Sequence, residues 1–216
     1  AGRAVSEQKI ALLAIFCYHK NMIEVERGFI LNEVQEKKLL EGAEFLGNKV
    51  MTDAYYDDAN YSLTTKDLWL RARNGKFELK VPMNKSLDER VSDQYEELEN
   101  DQDVLKYFSA DTNKPISEFI ADKGYKPFCK IVTTRRKYKK EGFNIDLDNM
   151  DFGYVSMEIE KMVDDASKMD EATQSIIDFA GRHNISEGDR WGKVIEYVRR
   201  NNPKHFQALM DAKVIK

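Results

Sequence analysis

Residues 22–30 read MIEVERGFI, a stretch in which apolar and charged side chains alternate with a period of two. Successive side chains of a β-strand point to opposite faces of its sheet, so this alternation predicts a strand whose two faces meet different surroundings. Glu24 and Glu26 then lie on the same face. The predicted strand therefore presents a pair of carboxylates on a single surface.

Further strands and helices follow along the chain. Similar patterns predict six more strands, at residues 49–57, 68–73, 76–81, 128–138, 143–147 and 154–162. Between two of them, Asn74-Gly75 is typical of a tight hairpin turn. Helical spacing predicts helices at residues 32–46, ending at Gly47, and at residues 166–182, 191–200 and 203–212. The acidic stretch 87–108 predicts a solvated helical insertion without chemistry. This order of elements favours an antiparallel α+β fold.

The composition is that of a globular protein with many charges. Of its 216 residues, 42% are hydrophobic, which is enough apolar surface to bury the core of one domain. We expect residues 22–216 to form this domain and residues 1–21 to be an N-terminal leader outside the core.

Charge and cysteine content restrict the classes of partner. A net charge of −4 gives no global positive field that would hold a nucleic-acid backbone. The apolar run at residues 10–18 is shorter than the roughly 20 residues of a membrane span. Cys17 and Cys129 do not amount to a disulfide framework, which fits a reducing compartment. We therefore expect a cytoplasmic monomer that binds neither nucleic acid nor membranes.

Charged residues two positions apart recur in separate predicted strands. The pairs are Glu24 with Glu26, Arg71 with Arg73, Glu78 with Lys80, Asp146 with Asp148, and Glu158 with Glu160. Each pair alone fits the solvated outer face of an antiparallel sheet. Together they would line the polar interior of a closed barrel, where the inner faces of all strands meet.

Carboxylates that converge in such an interior need a cation. Two bare carboxylates a few ångströms apart repel by about 4 kcal/mol at an effective dielectric constant of about 20. Oxygen ligands suit Mg²⁺ or Mn²⁺, which typically bridge carboxylates to phosphate oxygens. The arginines and lysines would supply an opposing wall, because guanidinium and ammonium groups bind phosphate. The charge pattern therefore indicates a metal-dependent site for a small polyphosphate.

Seven sequence motifs occur in a specific order and spacing over nearly the whole chain. They are IEVERGF at residues 23–29, YYD at 55–57, WLRAR at 69–73, FELK at 77–80, RRKY at 135–138, IDLDNMDFGYVSMEIE at 145–160 and GKVIEYV at 192–198. This set resembles the CYTH, or triphosphate tunnel metalloenzyme, superfamily, and within it the thiamine triphosphatases. The resemblance implies an eight-stranded antiparallel β-barrel that forms a tunnel, with helices packed outside and a C-terminal helix at one mouth.

The resemblance also implies roles for individual residues. The carboxylates that match the superfamily's metal ligands are Glu24, Glu26, Asp146, Glu158 and Glu160. The cations that match its phosphate-binding residues are Arg71, Arg73, Lys80, Arg135 and Lys193. Tyr55 would act with Lys80 to activate the attacking water, or would be a strand aromatic that packs on the barrel. Trp69 would stack on the thiazolium ring of thiamine, or would be buried in the core.

One position departs from the superfamily's Glu-x-Glu-x-Lys signature. Gly28 occupies the lysine position, so one phosphate-facing cation is missing. Arg27 could replace it if a bulge turned this side chain to the same face, or Lys130 could compensate. The third explanation is that the protein binds its ligand and turns it over slowly.

We expect metal-dependent hydrolysis of thiamine triphosphate to thiamine diphosphate and phosphate, with Mg²⁺ or Mn²⁺ as cofactor. A small-molecule triphosphate is the expected partner. Two alternatives stay open. The first is a general inorganic or nucleoside triphosphatase, or an adenylyl cyclase, because the tunnel lining does not select the organic group. The second is a weakly active or non-catalytic triphosphate binder, because of Gly28.

Overall fold

Eight β-strands form one antiparallel sheet. The structure, a computed structural model, describes residues 23–82, 95–185 and 191–215. The strands are β1 (Ile23–Phe29), β2 (Glu44–Asp57), β3 (Trp69–Arg73), β4 (Lys76–Pro82), β5 (Tyr95–Leu98), β6 (Lys126–Lys140), β7 (Phe143–Met150) and β8 (Val155–Val163). They are hydrogen-bonded in the order β1-β8-β7-β6-β2-β3-β4-β5, and every neighbouring pair is antiparallel. The predicted antiparallel α+β fold is confirmed, whereas the proposed leader at residues 1–21 lies outside the described residues.

Six short α-helices accompany the sheet within the described ranges. They are α1 (Glu33–Leu40), α2 (Asp101–Tyr107), α3 (Ile116–Asp122), α4 (Met169–Arg182), α5 (Lys193–Asn201) and α6 (Pro203–Asp211). Asparagine side chains cap several of them: the Asn32 side chain accepts the backbone N–H of Gln35 at 2.9 Å, and that of Asn202 accepts from His205 at 3.2 Å. None of the helices in this part of the chain is long and apolar enough to cross a membrane.

Apolar residues on the convex face of the sheet pack under helices. Val25 of β1 and Ile159 of β8 are buried with Phe179 of α4. In a second cluster, Leu79 of β4 is buried with Leu105 of α2. Each fully buried side chain of this size stabilises the fold by about 1.5–3 kcal/mol. Because side chains alternate across a strand, this burial turns the intervening charged residues onto the concave face.

The sheet is curled so that its two edges come near each other. β1 and β5 lie at opposite ends of the strand order. Glu26 of β1 nevertheless lies within electrostatic range of Lys80 on β4 and Glu97 on β5. The twist of antiparallel strands gives sheets this tendency to close on themselves. The concave face is thus enclosed as the lining of a half-barrel.

The C-terminal helices lie over one end of this concave face. Tyr55 of β2 and Ile131 of β6 point to the concave side, as do Asp53 and Arg135 of the same strands. Both are buried in one cluster with Val198 of α5 and Leu209 of α6. The helices therefore close an end of the half-barrel and place Lys193, the first residue of α5, beside the concave face.

One predicted helix was too long. Helix α1 ends at Leu40, and β2 begins at Glu44 instead of residue 49. Gly47 was expected to end the helix, but it lies within β2 at a bulge in the pairing with β6, and its φ of 125° suits glycine. Leu46 fits an apolar helical stripe, yet its side chain is 49% exposed. Backbone pairing with the 15-residue β6 therefore determines this segment's structure more than apolar spacing does.

The acidic stretch at residues 87–108 is not one helix. Residues 83–94 lie outside the described residues, Tyr95–Leu98 form β5, and α2 begins only at Asp101. β5 pairs with β4, which places Glu97 opposite Lys80. A strand of four residues is too short for its alternation to stand out from a helix-favouring composition. The carboxylate of Glu97 pairs with Lys80, a predicted site residue, so this stretch contributes to the surroundings of the candidate site.

Candidate functional site

Three glutamates from β1 and β8 meet on the concave face. One carboxylate oxygen from each of Glu24, Glu26 and Glu160 lies within 4.8 Å of the others. Glu26 and Glu160 are direct partners across the β1–β8 ladder. The alternation that buries Val25 and Ile159 on the convex face turns these three side chains inward. The structure therefore brings together three of the five predicted metal ligands.

Burial and mutual repulsion act on this cluster. Burial raises the pKa of Glu160 most, and the charges of Glu24 and Asp146 raise it further. Burial also raises the pKa of Glu26 most, followed by the charge of Glu158. The metal-free cluster thus favours holding a proton over full ionisation. A divalent cation would relieve the same repulsion by binding the ionised carboxylates.

Asp146 and Glu158 extend the cluster along the sheet. Asp146 is fully buried on β7 and is the direct partner of Glu158 on β8. The Oδ1 atom of Asp146 accepts no hydrogen bond from any residue that the structure describes. A buried carboxylate oxygen without a donor is costly unless a cation or a proton meets it. The five predicted carboxylates offer only oxygen ligands, so they fit a hard divalent cation such as Mg²⁺ or Mn²⁺.

Arg135 of β6 lies beside the acidic cluster. Its Nε and Nη2 atoms donate to the two carboxylate oxygens of Asp148 at 2.6 and 2.8 Å, and Nη2 donates to Glu158 at 2.7 Å. Nη1 donates to Asp146. Burial lowers the pKa of Arg135, but the hydrogen bonds and charges of these carboxylates raise it overall. This predicted phosphate ligand therefore stays charged and is held next to the predicted metal ligands.

Arg135 and four cations from β3, β4 and α5 form a basic wall on the concave face, the four being Arg71, Arg73, Lys80 and Lys193. The buried Arg71 donates to Glu78 at 2.7 Å and to Glu97 at 3.2 Å. The Nζ atom of Lys80 is 2.7 Å from Glu97, and Lys80 also interacts electrostatically with Glu26. Glu97 thus links two predicted phosphate-binding cations. The sequence held no usable signal for Glu97, because its surroundings favour a helix.

Asp53 of β2 holds the other two cations of the basic wall. Its carboxylate accepts from Arg73 Nε at 2.7 Å and Nη2 at 3.2 Å, and it forms an ion pair with Lys193. Burial alone would raise the pKa of Asp53, but Arg73 and Lys193 lower it well below its usual range. Sequence reasoning missed Asp53, although alternation within the predicted strand puts it on the same face as Tyr55.

Tyr55 and Trp69 are both buried in the cluster formed with the C-terminal helices, each with a side chain 4% exposed. Tyr55 lies opposite Arg71 in the β2–β3 ladder. The indole N–H of Trp69 donates to Asp67 at 2.7 Å. These positions agree with the packing alternative for each residue. Water activation by Tyr55 and ring stacking by Trp69 stay predictions.

Gly28 faces the concave side without a bulge. The β1–β8 pairing runs in unbroken register, with Gly28 opposite Glu158. Arg27 therefore points to the convex side with Val25, which contradicts the first explanation for the missing lysine. Lys130 is exposed and, next to the inward Ile131, also points away from the concave face, which contradicts the second.

Comparisons with known proteins agree with this arrangement. The family model of the CYTH domain matches residues 22–191, which include all eight strands and every predicted site residue except Lys193. The chain is 27% identical over 210 residues to thiamine-triphosphatase of Homo sapiens, covering 89% of this chain and 91% of that protein. It is 26% identical, over the same length and coverage, to thiamine-triphosphatase of Macaca fascicularis. A solved structure of a protein from Pyrococcus horikoshii superposes with a TM-score of 0.60 at 25% identity, covering 83% of this chain and 100% of the other.

Proposed function

Because this chain belongs to the CYTH domain family, we propose that it hydrolyses a small organic triphosphate in a metal-dependent reaction, with thiamine triphosphate as its substrate. The observation that carries this proposal is that a carboxylate cluster and a basic wall meet on one enclosed face. Similarity to the human and macaque thiamine-triphosphatases supports the choice of substrate.

The acidic cluster would hold the divalent cation. The residues proposed to bind it are Glu24, Glu26, Asp146, Glu158 and Glu160. Once bound, such an ion neutralises phosphate oxygens and lowers the pKa of a coordinated water. The chain's own contribution is to hold Glu24, Glu26 and Glu160 within 4.8 Å of one another before any ligand arrives, so that these three need little reorganisation on binding.

The basic wall would hold the phosphates. The proposed ligands are Arg71, Arg73, Lys80, Arg135 and Lys193. Each is already oriented by a carboxylate, such as Asp53, Glu97 or Asp148, yet an arginine has five N–H donors and a lysine three. The remaining donors can bind phosphate oxygens while the carboxylates keep the side chains in position. Fixed cations at the leaving phosphates provide most of the catalysis in phosphoryl transfer.

Tyr55 and Lys80 are the proposed groups that position the attacking water. Arg71 is the direct partner of Tyr55 in the β2–β3 ladder. Trp69 is proposed to contact the organic group, with its N–H fixed by Asp67. No covalent intermediate is needed in this scheme.

Gly28 favours a second candidate function, that of a triphosphate binder with little turnover. Its place in the ladder leaves the concave face without a side chain beside Glu158. Removal of a single cation from such a site lowers the rate more than it alters binding geometry.

Phosphate release from thiamine triphosphate, inorganic triphosphate and ATP, each with Mg²⁺, Mn²⁺ or EDTA, tests the proposal. We expect the highest rate with thiamine triphosphate and none in EDTA. Glu26→Gln should lower kcat/KM by about 100-fold or more, because it removes a proposed metal ligand. Glu33→Gln, on the exposed start of α1, is the matched control.

Three results would change the assignment. Normal turnover by Glu26→Gln would exclude the acidic cluster as the metal site of the reaction. Faster turnover of inorganic triphosphate or ATP would make that compound the assigned substrate in place of thiamine triphosphate. Tight binding of thiamine triphosphate by calorimetry without phosphate release would establish the binder instead.

A further inference from the structure

One row of directly paired residues crosses four strands of the concave face. Gly28 of β1 is paired with Glu158 of β8, Glu158 with Asp146 of β7, and Asp146 with Lys137 of β6. Residues that are directly opposite in a ladder point to the same face of the sheet. The row therefore contains two carboxylates in its centre, an ammonium group at one end and no side chain at the other.

The Gly28 end of the row is open. A Cβ atom built there would meet only the backbone oxygen of Met157, at 4.0 Å, which is an ordinary van der Waals contact. The φ angle of Gly28 is outside the left-handed region, so its backbone does not require glycine. The three strand spacings between Gly28 and Lys137 amount to about 14 Å along the sheet, and the curl of the sheet shortens the distance across the cavity.

The ammonium group of Lys137 is available to a ligand in this cavity. Its Nζ atom lies 3.3 Å from Oδ2 of the fully buried Asp146, and the Lys137 side chain remains 36% exposed. An ammonium group has three donors, so this ion pair leaves capacity for an anion. The neighbouring Arg135 has fewer donors left for an anion, because its Nε, Nη1 and Nη2 atoms all donate to carboxylates.

We propose that Lys137 is a phosphate-binding residue of this chain, which supplies from β6 the positive charge that Gly28 cannot supply from β1. This inference rests on the proposed function. The group it binds is a phosphate of the triphosphate chain, held between Lys137 and the divalent cation that Asp146 and Glu158 would bind. Its ion pair with Asp146 directs the ammonium group toward the acidic cluster, where a metal-bound phosphate would lie.

The test uses Lys137→Met, Gly28→Lys and the double variant. The readouts are kcat and KM for thiamine triphosphate with Mg²⁺, and calorimetric affinity for inorganic triphosphate both with Mg²⁺ and in EDTA. Lys137→Met should weaken inorganic triphosphate binding about tenfold, the usual effect of losing one charge-assisted hydrogen bond. Gly28→Lys should restore most of this affinity in the Lys137→Met background and add much less to the wild type, because both lysines serve one phosphate.

Lys130→Met is the matched control, because Lys130 is an exposed lysine of the same strand that points away from the cavity. Lys137→Gln repeats the test with a polar side chain if the methionine variant melts at a lower temperature. Unchanged affinity in both Lys137 variants would overturn the inference. An equal gain from Gly28→Lys in the two backgrounds would also overturn it, because the two positions would then bind independently. Failure of the wild type to bind or hydrolyse any triphosphate would instead remove the proposed function.

Discussion

At the scale of single residues, Asp53 organises two cations from distant parts of the chain. Arg73 lies in a hairpin strand and Lys193 begins a C-terminal helix, yet one buried carboxylate holds both. Without it, two like charges would face each other in a partly buried site. A polyphosphate would offer these cations the same compensation from outside the protein.

Asp53→Asn should therefore destabilise the ligand-free protein and increase its response to ligand. We expect a loss of about 3 kcal/mol in the free energy of unfolding, typical of removing one partner of a buried ion pair. The rise in melting temperature on adding inorganic triphosphate should be larger than in the wild type. Thermal melts with and without the ligand measure both effects, with the exposed Asp170→Asn as control. An equal ligand-induced rise in the two proteins would contradict this role.

Residue patterns predicted the site unevenly. Alternation placed Glu24 and Glu26 on one face of their strand and Glu158 and Glu160 on one face of theirs, and the β1–β8 pairing brings Glu24, Glu26 and Glu160 together. The same rule could have selected Asp53, whose strand was predicted. Glu97 could not be selected, because its position depends on a short strand whose pairing with β4 is a long-range property.

At the scale of elements, a buried histidine attaches helix α6 to the segment that follows β2. The His205 ring is fully buried and stacks on Tyr61 with a centroid distance of 4.0 Å. Its Nε2 atom lies 2.7 Å from the Thr64 hydroxyl, which donates to Asp57 at 2.7 Å. Burial lowers the pKa of His205 to about 4, although the charge of Asp57 opposes this shift. The helix that closes the half-barrel is thus held by a neutral imidazole.

This attachment should weaken in acid. The ordinary histidine pKa is about 6.5, so between that pH and about 4 the unfolded chain binds the proton more readily than the folded one. The contribution to stability is complete above pH 6.5 and is lost as the pH falls toward 4. Urea unfolding at several pH values should show a shallower decline for His205→Gln than for the wild type over this window. Parallel declines would exclude His205 as the cause.

Element boundaries were predicted correctly where a local turn or capping signal marks them. The hairpin at Asn74-Gly75 and the start of α6 at Pro203 agree with the structure, because turn and capping chemistry are local. The start of β2 was misplaced because Leu46 also fits a helical stripe. Pairing with β6 decides that segment, and no local pattern reports such pairing.

At the scale of the whole molecule, the acidic cluster on the concave face lowers the stability of the metal-free protein. The carboxyl groups of Glu26 and Glu160 have raised pKa values because burial and neighbouring acids oppose their ionisation. A folded-state pKa above the unfolded value gives stability that is complete at low pH and is lost as the pH rises through the raised pKa. The metal-free protein should therefore become less stable toward alkaline pH.

Bound Mg²⁺ should prevent this loss of folding stability at alkaline pH. In EDTA we expect the melting temperature to fall between pH 6 and pH 9, and in Mg²⁺ to stay nearly constant, with protons released on binding. At a Mg²⁺ concentration of 100 times Kd the stabilisation is about 2.7 kcal/mol. Glu160→Gln should melt higher than the wild type in EDTA at pH 9 and should not respond to Mg²⁺. Scanning fluorimetry in both buffers measures this, and identical pH profiles with and without Mg²⁺ would refute it.

The pairing of β1 with β8 has a consequence for synthesis on the ribosome. The strand that completes the cluster of Glu24 and Glu26 is made more than 100 residues after them. Until then, β1 lacks the β8 partner that it has in the described sheet, and contacts between such distant segments form slowly. The metal site proposed on these carboxylates is therefore complete only after β8 has been made and has paired with β1.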